Sequence, residues 1–357
     1  MTSAEMIRYR LVNQQIADSK FKAPQQIVEW MIAMQAQEFA MAKWAIGLRL
    51  PGSVEGDIEE AFTKGEILRT HLMRPTWHFV APSDIRWLLA LTAPRVHTAS
   101  AFMHRHLELD TKLFKRSNDA IIKALSGGKQ LTREQLRIAL EQKKIKADGV
   151  RLAHLLMKAE LDAIICSGAR QGKQFTYALL EERVAPAKTI HRTEALAAFT
   201  QRYFTSRGPA TIKDFTTWSG LTVADAKEGA RMLPSNFIKE KIKEQEYYFI
   251  PADLSSNIKI QTSFLMPDYD EYGMGYKDRS VLLVSKEDVL QFRGENPAYN
   301  RMIIFDGKIE GTWKRVIKNN TVSIETIPFR PLSKTRQQIL ARAIKKYCSF
   351  IGKKVEE

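Results

Sequence analysis

The sequence predicts an α+β protein that is mainly helical and divided into several domains. Apolar residues at helical spacing alternate with hairpin-like strands over most of the chain, and short β-rich runs replace them after residue 260. The length of 357 residues is ample for a sizeable core. With 44% apolar and 27% charged residues, the composition excludes a mainly disordered protein.

A helical module with a terminal hairpin is clearest within residues 119–185. A helix that ends at Gly127-Gly128 is followed by a helix capped by Thr132 and by a third helix after Gly149. The apolar positions of the first two helices are Ile121, Ile122, Leu125, Leu136, Ile138 and Leu140. The segment AIICSGARQGKQFTYAL is then typical of two strands around a basic turn. Three helices followed by a hairpin form a winged helix.

The same order of elements occurs twice more, so the sequence predicts tandem winged helices. Their irregular spacing indicates related domains and not a solenoid. The predicted segments are winged helix 1 with its wing hairpin (1–82), a helical connector (83–118), winged helix 2 (119–185) and winged helix 3 (186–252).

Residues 253–357 are predicted to form a β-barrel-like domain with a closing helix. The runs SVLLVS, RMIIFDG, KIEGTWKRVI and TVSIETIPF have strand character, with turn signals at Asp306-Gly307 and Asn319-Asn320. The final helix, SKTRQQILARAIKKYCSF, has one apolar and one basic face.

The chain has 55 Lys and Arg against 40 Asp and Glu, a net charge of +15, which suits a polyanionic partner. No stretch approaches the ~20 apolar residues of a membrane span, and the N-terminus lacks the apolar core of a signal peptide. We therefore expect a cytoplasmic protein with no membrane partner. Its two cysteines, Cys166 and Cys348, argue against a disulfide scaffold and a cysteine-based zinc site.

Carboxylates cluster in the segment PDYDEYGMGYKDR. Asp268, Asp270 and Glu271 are candidate ligands for a magnesium-dependent nuclease, or they belong to a structured loop. The flanking tyrosines and glycines favour the loop. The frequent hydrolase motifs, a Gly-rich phosphate loop, G-x-S-x-G and H-E-x-x-H, are missing from the sequence.

The segment EILRTHLMRPTWHFV predicts a wing-like hairpin with polar faces. Alternation along the strands would place Arg69 with His71 on one face, and Thr76 with His78 on one face of the partner strand. Such a hairpin is suited to phosphate or minor-groove contact, or is an ordinary solvated hairpin.

Two glutamines, Gln35 and Gln37, follow the second predicted helix. On a continuous helix they would point ~200° apart and could not share a target. They could converge only if the helix ended near Met34 or Gln35. From composition alone, the pair is two exposed glutamines.

Five segments, in order, resemble the winged-helix DNA glycosylases of the AlkZ/YcaQ type: MQAQEF, RTHLMRPTWHFVAPSD, SRGPATIKDFTTWSGLTVADA, MPDYDEYGMGYKDRS and DGKIEGTWKR. The resemblance runs from about residue 7 to about residue 345. It implies a C-shaped tandem of winged helices with a C-terminal β-barrel, whose concave basic channel holds duplex DNA. It also implies excision of alkylated purines, especially N7-alkylguanine and bulky crosslinking adducts, without full flipping of the base.

The family's catalytic signature is glutamine, an aliphatic residue, and then glutamine in one branch or aspartate in the other. Gln35-Ala36-Gln37 is similar to the AlkZ-like branch, which implies that Gln35 and Gln37 hold and orient the attacking water. Glu38 is a rival general base, because it is the carboxylate beside the motif. The resemblance further implies that the wing contacts DNA beside the lesion, through Arg69, Thr70, His71, Arg74, Thr76 and His78.

A neutral glutamine pair predicts the substrate class. A glutamine amide cannot act as a general base at neutral pH, and its oxygen can only accept a hydrogen bond from water. An N7-alkylated purine is cationic and leaves as a neutral base, so the enzyme mainly has to place water and stabilise the charge that develops on the sugar. The sequence therefore predicts a monofunctional glycosylase without metal or cofactor, acting on cationic N7-alkylated purines in base excision repair of alkylation damage.

The predicted partner is double-stranded DNA with alkylated bases. We expect a nucleoid-associated monomer, since a groove formed within one chain needs no second copy. Two basic runs would line or flank the DNA: residues 105–158 have 13 Lys and Arg against 6 Asp and Glu, and residues 331–357 have 7 against 2. The alternative is a non-catalytic winged-helix DNA-binding protein or transcriptional regulator, which would prefer a sequence with spaced half-sites.

Overall fold

The computed structural model describes residues 1–187, 189–251, 262–285 and 300–356. The chain is a mixed α/β protein. It contains two compact units: residues 1–59, 197–218 and 222–357 form unit 1, and residues 60–196 with 219–221 form unit 2. The five-segment division expected from the sequence is finer than this and stays a prediction. None of the helices in the described ranges has both the length and the apolar character needed to cross a membrane.

The helices begin where the sequence supplies capping groups. Thr132 and Thr222 form capping boxes with Gln135 and Asp225, which confirms the cap predicted at Thr132. In chain order the helices are α1 (Ser3–Asn13), α2 (Pro24–Met31), α3 (Phe39–Arg49), α4 (Glu55–Lys64), α5 (Pro82–His106), α6 (Thr111–Leu125), α7 (Arg133–Gln142), α8 (Gly149–Leu161), α9 (Leu180–Arg183), α10 (Arg192–Arg207), α11 (Ile212–Ser219), α12 (Val223–Arg231), α13 (Glu271–Met274) and α14 (Lys334–Phe350).

The strands are short and mostly antiparallel. In chain order they are β1 (Ala33–Gln35), β2 (Leu68–Leu72), β3 (Thr76–Val80), β4 (Leu131–Thr132), β5 (Ile165–Ser167), β6 (Thr176–Leu179), β7 (Ala210–Thr211), β8 (Ile238–Ile242), β9 (Gln245–Phe249), β10 (Ser263–Leu265), β11 (Met302–Phe305), β12 (Lys308–Ile317), β13 (Thr321–Pro328) and β14 (Lys354–Val355). Unit 2 contains the hairpin β2–β3 and the sheet β4-β6-β5, and unit 1 contains the sheets β7-β9-β8 and β10-β11-β12-β13-β14.

The core of unit 2 lies between α6, α7, α8 and the sheet β4-β6-β5. Its fully buried members include Ile121, Leu125, Leu136, Leu140 and Leu155. Two residues that the sequence analysis placed among the apolar positions, Ile122 and Ile138, are instead exposed. Ile138 lies two residues from both Leu136 and Leu140, which turns it about 200° away from their shared face on a helix.

In the C-terminal sheet of unit 1, the described strands β10 to β14 lie side by side in chain order, and only the last pair, β13–β14, is parallel. The two-residue turn at Asp306-Gly307 joins β11 to β12 with positive φ at both residues, as the sequence predicts for an Asp-Gly hairpin. The prediction of a strand at SVLLVS was wrong, because Ser280–Leu282 forms a short 3-10 helix. β10 and β14 are the outer members of the sheet in the described residues, so it is open there. Residues 253–261 and 286–299 of the expected barrel lie outside the described residues.

Candidate functional site

The glutamine motif lies where α2 gives way to extended chain. α2 ends at Met31, and Gln35 is the last residue of β1, so the helix ends before the motif. Gln35 is buried, with 7% of its surface exposed, whereas Gln37 is exposed. Side chains two residues apart share a face along an extended backbone, unlike on a helix. Because α2 ends before the motif, the helical geometry that would point the two amides ~200° apart does not apply here. Gln35 ends β1, Gln37 lies in the bend that follows, and their convergence stays a prediction.

Glu271 is bonded to the backbone of this motif. Its Oε1 accepts a hydrogen bond from the Gln35 N–H at 3.1 Å. Its Oε2 accepts from the Arg207 guanidinium, with Nη2 at 2.7 Å, and from Trp218 Nε1 at 2.8 Å. Glu271 is 1% exposed and Arg207 is fully buried. The carboxylate therefore has donors at both oxygens in an environment shielded from water.

Arg207 contacts the same segment independently. Its Nη1 donates to the Met31 carbonyl and its Nη2 to the Ala33 carbonyl, both at 3.0 Å. The guanidinium carbon lies 4.2 Å from the centroid of the Trp218 ring. Burial raises the pKa of Tyr276, so its hydroxyl stays protonated and donates to the Arg207 carbonyl at 2.8 Å.

Two members of the acidic cluster predicted from the sequence, Asp270 and Glu271, lie in the core of unit 1, and Asp268 is half-buried. Asp270 is 1% exposed and makes a two-pronged ion pair with Arg49, whose Nη1 and Nη2 each lie 2.8 Å from a carboxylate oxygen. Asp268 pairs with Arg301 at 2.7 Å. Within the described residues, no group of three or more His, Cys, Asp or Glu side chains is arranged to hold a metal ion. These contacts support the structured-loop interpretation over a magnesium nuclease.

The hairpin β2–β3 of unit 2 differs from the contact surface expected. Thr70 faces His78 in the register, and both side chains are fully buried. Arg69 is 8% exposed, and its guanidinium carbon lies 4.2 Å from the Trp77 ring centroid and 4.6 Å from that of Phe175. These three residues therefore pack inside the unit in this conformation, because tertiary contacts cover strand faces that alternation alone leaves open.

The other expected contact residues lie nearer the hairpin tip. His71 stacks on Trp77 with ring centroids 4.4 Å apart, and its Nδ1 is hydrogen-bonded to the buried carboxylate of Glu160. Arg74 and Thr76 are half-buried at the turn itself. His71, Arg74 and Thr76 are therefore less buried than Arg69, Thr70 and His78, although the hydroxyl oxygen of Thr76 is itself covered.

A groove of about 590 Å³ opens beside the hairpin within unit 2. Its cationic and aromatic lining consists of Arg69, Trp77, Arg133, Arg137, Lys173, Phe175 and Tyr177. One carboxylate in the lining, Glu134, pairs with Arg137. The excess of cations gives this unit a surface suited to phosphate.

Sequence reasoning did not assign roles to Arg207, Trp218 or Glu160. Their partners lie far away in sequence, and composition carries no signal for such pairings. Arg207 and Trp218 both fall within SRGPATIKDFTTWSG, and Glu271 falls within MPDYDEYGMGYKDRS. Two of the segments that carried the resemblance therefore supply side chains around Gln35.

The chain is similar to known proteins over most of its length. The AlkZ-like DNA glycosylase family matches residues 28–350. The interstrand DNA cross-link repair glycosylase of Streptomyces sahachiroi is 19% identical over 362 residues, which cover 95% of this chain and 95% of that protein. The solved structure of Streptomyces sahachiroi DNA glycosylase AlkZ has the same fold, with a TM-score of 0.80 at 16% identity over 100% of this chain and 99% of that one. This chain therefore belongs to the AlkZ-like DNA glycosylase family.

Proposed function

We propose that this protein is a monofunctional DNA glycosylase that hydrolyses the N-glycosidic bond of cationic N7-alkylated purines in duplex DNA. Family membership makes it a DNA glycosylase, and the substrate class and the catalytic residues are our proposal. The observation that carries it is the end of α2 at Met31, which takes Gln35 off the helix and leaves Gln37 exposed two residues later.

Gln35 and Gln37 are proposed to hold the attacking water. Their amide oxygens accept hydrogen bonds from water but cannot remove its proton at neutral pH. This suits a leaving group that is already cationic, because the base departs neutral without a general acid. Glu38 is exposed at the start of α3, and its side chain does not cap the helix. Its carboxylate is therefore the alternative general base, which a variant at this position tests.

We also propose that the helix-and-hairpin modules are winged helices that contact DNA through their wings. In the second module α6, β4, α7, α8, β5 and β6 follow one another, and in the third α10, β7, α11, α12, β8 and β9 do. Direct contact is assigned to Arg74 at the tip of β2–β3 with His71 beside it, and Thr76, whose hydroxyl oxygen is buried, is assigned to shaping the turn. Arg69, Thr70 and His78 are assigned to holding that tip through packing.

Bulky and crosslinked adducts are proposed as further substrates. The relative from Streptomyces sahachiroi is named as an interstrand DNA cross-link repair glycosylase. The adducted N7 purine is cationic in a crosslink as in a simple methyl adduct, so the same water-positioning chemistry applies.

The test is excision from duplex DNA that contains one N7-methylguanine or one nitrogen-mustard adduct. We expect abasic sites to form faster than by spontaneous depurination, with chelator present or absent. Gln35→Ala with Gln37→Ala should lower the single-turnover rate by at least about 100-fold, because the water loses its hydrogen-bond acceptors. The affinity for DNA should change by less than about twofold, because amides neutralise no phosphate.

Glu38→Gln is the matched control, since it removes the neighbouring carboxylate at constant size. It should excise at close to the wild-type rate. If the wild type releases neither lesion, the proposal is refuted. If a binding-site selection with the wild type instead returns a consensus DNA sequence, that result would favour a regulator. Loss of activity in Glu38→Gln alone would transfer the base role to Glu38.

A further inference from the structure

We infer that Glu271 and Arg207, with Asp270 beside them, fix the backbone that presents Gln35, and are positioning residues for the reaction. The inference rests on the proposed function, because it gives Gln35 a part in holding water. It assigns the buried carboxylates of the PDYDEYG segment a role in the reaction without contact with the substrate.

The backbone just before the motif is strained. Ile32 has φ +65° and ψ −57°. These angles are close to those of a γ-turn (roughly +75°, −65°) that is rare and strained. A β-branched residue with positive φ is an outlier, and such a conformation persists only where its surroundings enforce it. Something other than local preference therefore holds the chain at the turn between α2 and β1.

Arg207 and Glu271 supply that enforcement from both sides of Ile32. Arg207 bonds the carbonyls of Met31 and Ala33, which flank the strained residue, at 3.0 Å each. Glu271 accepts the Gln35 N–H two residues further on, at 3.1 Å. One buried ion pair thus holds three backbone groups within five residues.

Neighbouring groups in turn fix the orientation of Glu271. Its Oε2 accepts from Trp218 Nε1 as well as from Arg207, and Arg207 stacks on the Trp218 ring. Asp270, the preceding residue, is held by Arg49 at the end of α3, the helix that follows the glutamine motif. Two consecutive carboxylates therefore hold the first residue of the motif, through Glu271, and the helix that follows the motif, through Asp270.

In this inference Glu271 holds the backbone of Gln35 in place and does not act as a base. Both of its oxygens accept hydrogen bonds from buried donors, so neither is directed to a substrate water. Misplacement of a catalytic group by about 1 Å can lower the reaction rate about 100-fold. Fixing the position of Gln35 therefore offsets the cost of burying the Glu271–Arg207 ion pair.

Charge-conserving variants test the inference. Glu271→Asp shortens the carboxylate so that it cannot reach both the Gln35 N–H and Arg207, and Arg207→Lys loses the fork that spans two carbonyls. Each variant keeps the charge of the residue that it replaces, so the ion pair is not reduced to a single buried charge. We expect single-turnover excision of N7-methylguanine to slow about 10-fold to 100-fold, with the Kd for undamaged duplex changed by less than about twofold. Hydrogen exchange at the amides of residues 33–35 should become faster.

Glu310→Asp is the matched control. It removes the same methylene from a carboxylate of unit 1 that is paired with Arg336, and it should excise within about twofold of the wild-type rate. Rates are compared per folded molecule, measured by circular dichroism. If Glu271→Asp or Arg207→Lys does not fold, Trp218→Phe removes one hydrogen bond to Oε2, keeps the ion pair, and should slow excision about threefold to tenfold.

The outcomes separate this inference from the proposed function. A wild-type protein that does not excise N7-methylguanine defeats the proposed function, whatever the variants do. If the wild type is active and the folded variants excise at the wild-type rate despite faster exchange at 33–35, the positioning role is overturned. An equal loss in Glu310→Asp also overturns it, because the effect would then be general loosening of the unit.

Discussion

Among the residues of unit 1 that the structure describes, three arginines are buried at positions where apolar side chains would be the usual choice. Arg10, Arg49 and Arg207 are each at most 1% exposed. Arg49 pairs with Asp270 and also donates to the Gln14 carbonyl at 3.0 Å, and Arg10 donates to the Pro209 carbonyl. Each guanidinium has several donors in one plane, so it can join segments that are distant in sequence. These residues act as connectors inside the unit.

The Arg49–Asp270 pair gives a prediction for stability. Arg49→Met should lower the free energy of unfolding by about 3–5 kcal/mol, because it leaves the Asp270 carboxylate buried without its partner. Adding Asp270→Asn should recover part of the loss, since the amide oxygen can still accept from the Tyr272 N–H and the unpaired charge is gone. Urea unfolding measures both variants. A double variant no more stable than Arg49→Met would contradict the account.

At the scale of elements, α5 and α8 bring histidines together in unit 2. His104 on α5 and His154 on α8 have ring centroids 5.3 Å apart, nearly perpendicular. Burial lowers the pKa of both rings, and repulsion between the two rings when both are protonated lowers the pKa of His104 further. Lys158 and His97 also face this cluster, and Asp162 binds both of them. The surroundings of the two rings, at the contact between α5 and α8, therefore favour the neutral form of both imidazoles.

This contact predicts a loss of stability in mild acid. The folded pKa values of His104 and His154 lie below the unfolded value of ~6.5, so the unfolded chain binds more protons as the pH falls through that value. The free energy of unfolding should therefore decrease from pH 7.5 towards pH 5. His104→Gln with His154→Gln should flatten this dependence in urea titrations, whereas His191→Gln, at an exposed histidine, should not. Equal slopes in all three proteins would count against the assignment.

At the scale of the whole molecule, the net charge of +15 predicts how the protein holds DNA. Phosphate contacts release counterions, so affinity for undamaged duplex should fall steeply with salt, by about 0.9 log units per log unit of salt for each contact. Lys143→Ala with Lys144→Ala, two exposed residues of the basic run 105–158, should reduce the slope by about 1 to 2.

Two comparisons complete the salt experiment. Lys20→Ala with Lys22→Ala, also exposed but outside the basic runs, should keep the wild-type slope. The variant with both motif glutamines replaced should keep it too, because its change removes no cation. A wild-type affinity that is indifferent to salt between 50 and 200 mM would exclude phosphate neutralisation as the basis of binding, since 6–10 contacts would cost about 10³–10⁵ in affinity over that range.

Features set by neighbouring residues could be predicted from the sequence. The cap at Thr132 and the Asp306-Gly307 turn depend on side chains or φ angles within a few residues, and both occur where expected. The family resemblance also came from the sequence, because five motifs in order are specific without any coordinates. The net charge likewise needs no structure.

Features that depend on distant partners could not be predicted. The end of α2 at Met31 has no Gly or Pro to announce it, and the turn is held by Arg207 and Glu271 from far along the chain. The burial of Thr70 and His78 likewise depends on what packs over a strand face that alternation leaves open. The sequence by itself therefore determined the family, the local turns and caps, and the motif Gln35-Ala36-Gln37. Only the tertiary structure decided how that motif is held, because a buried charge is tolerated solely where folding brings its partner to it.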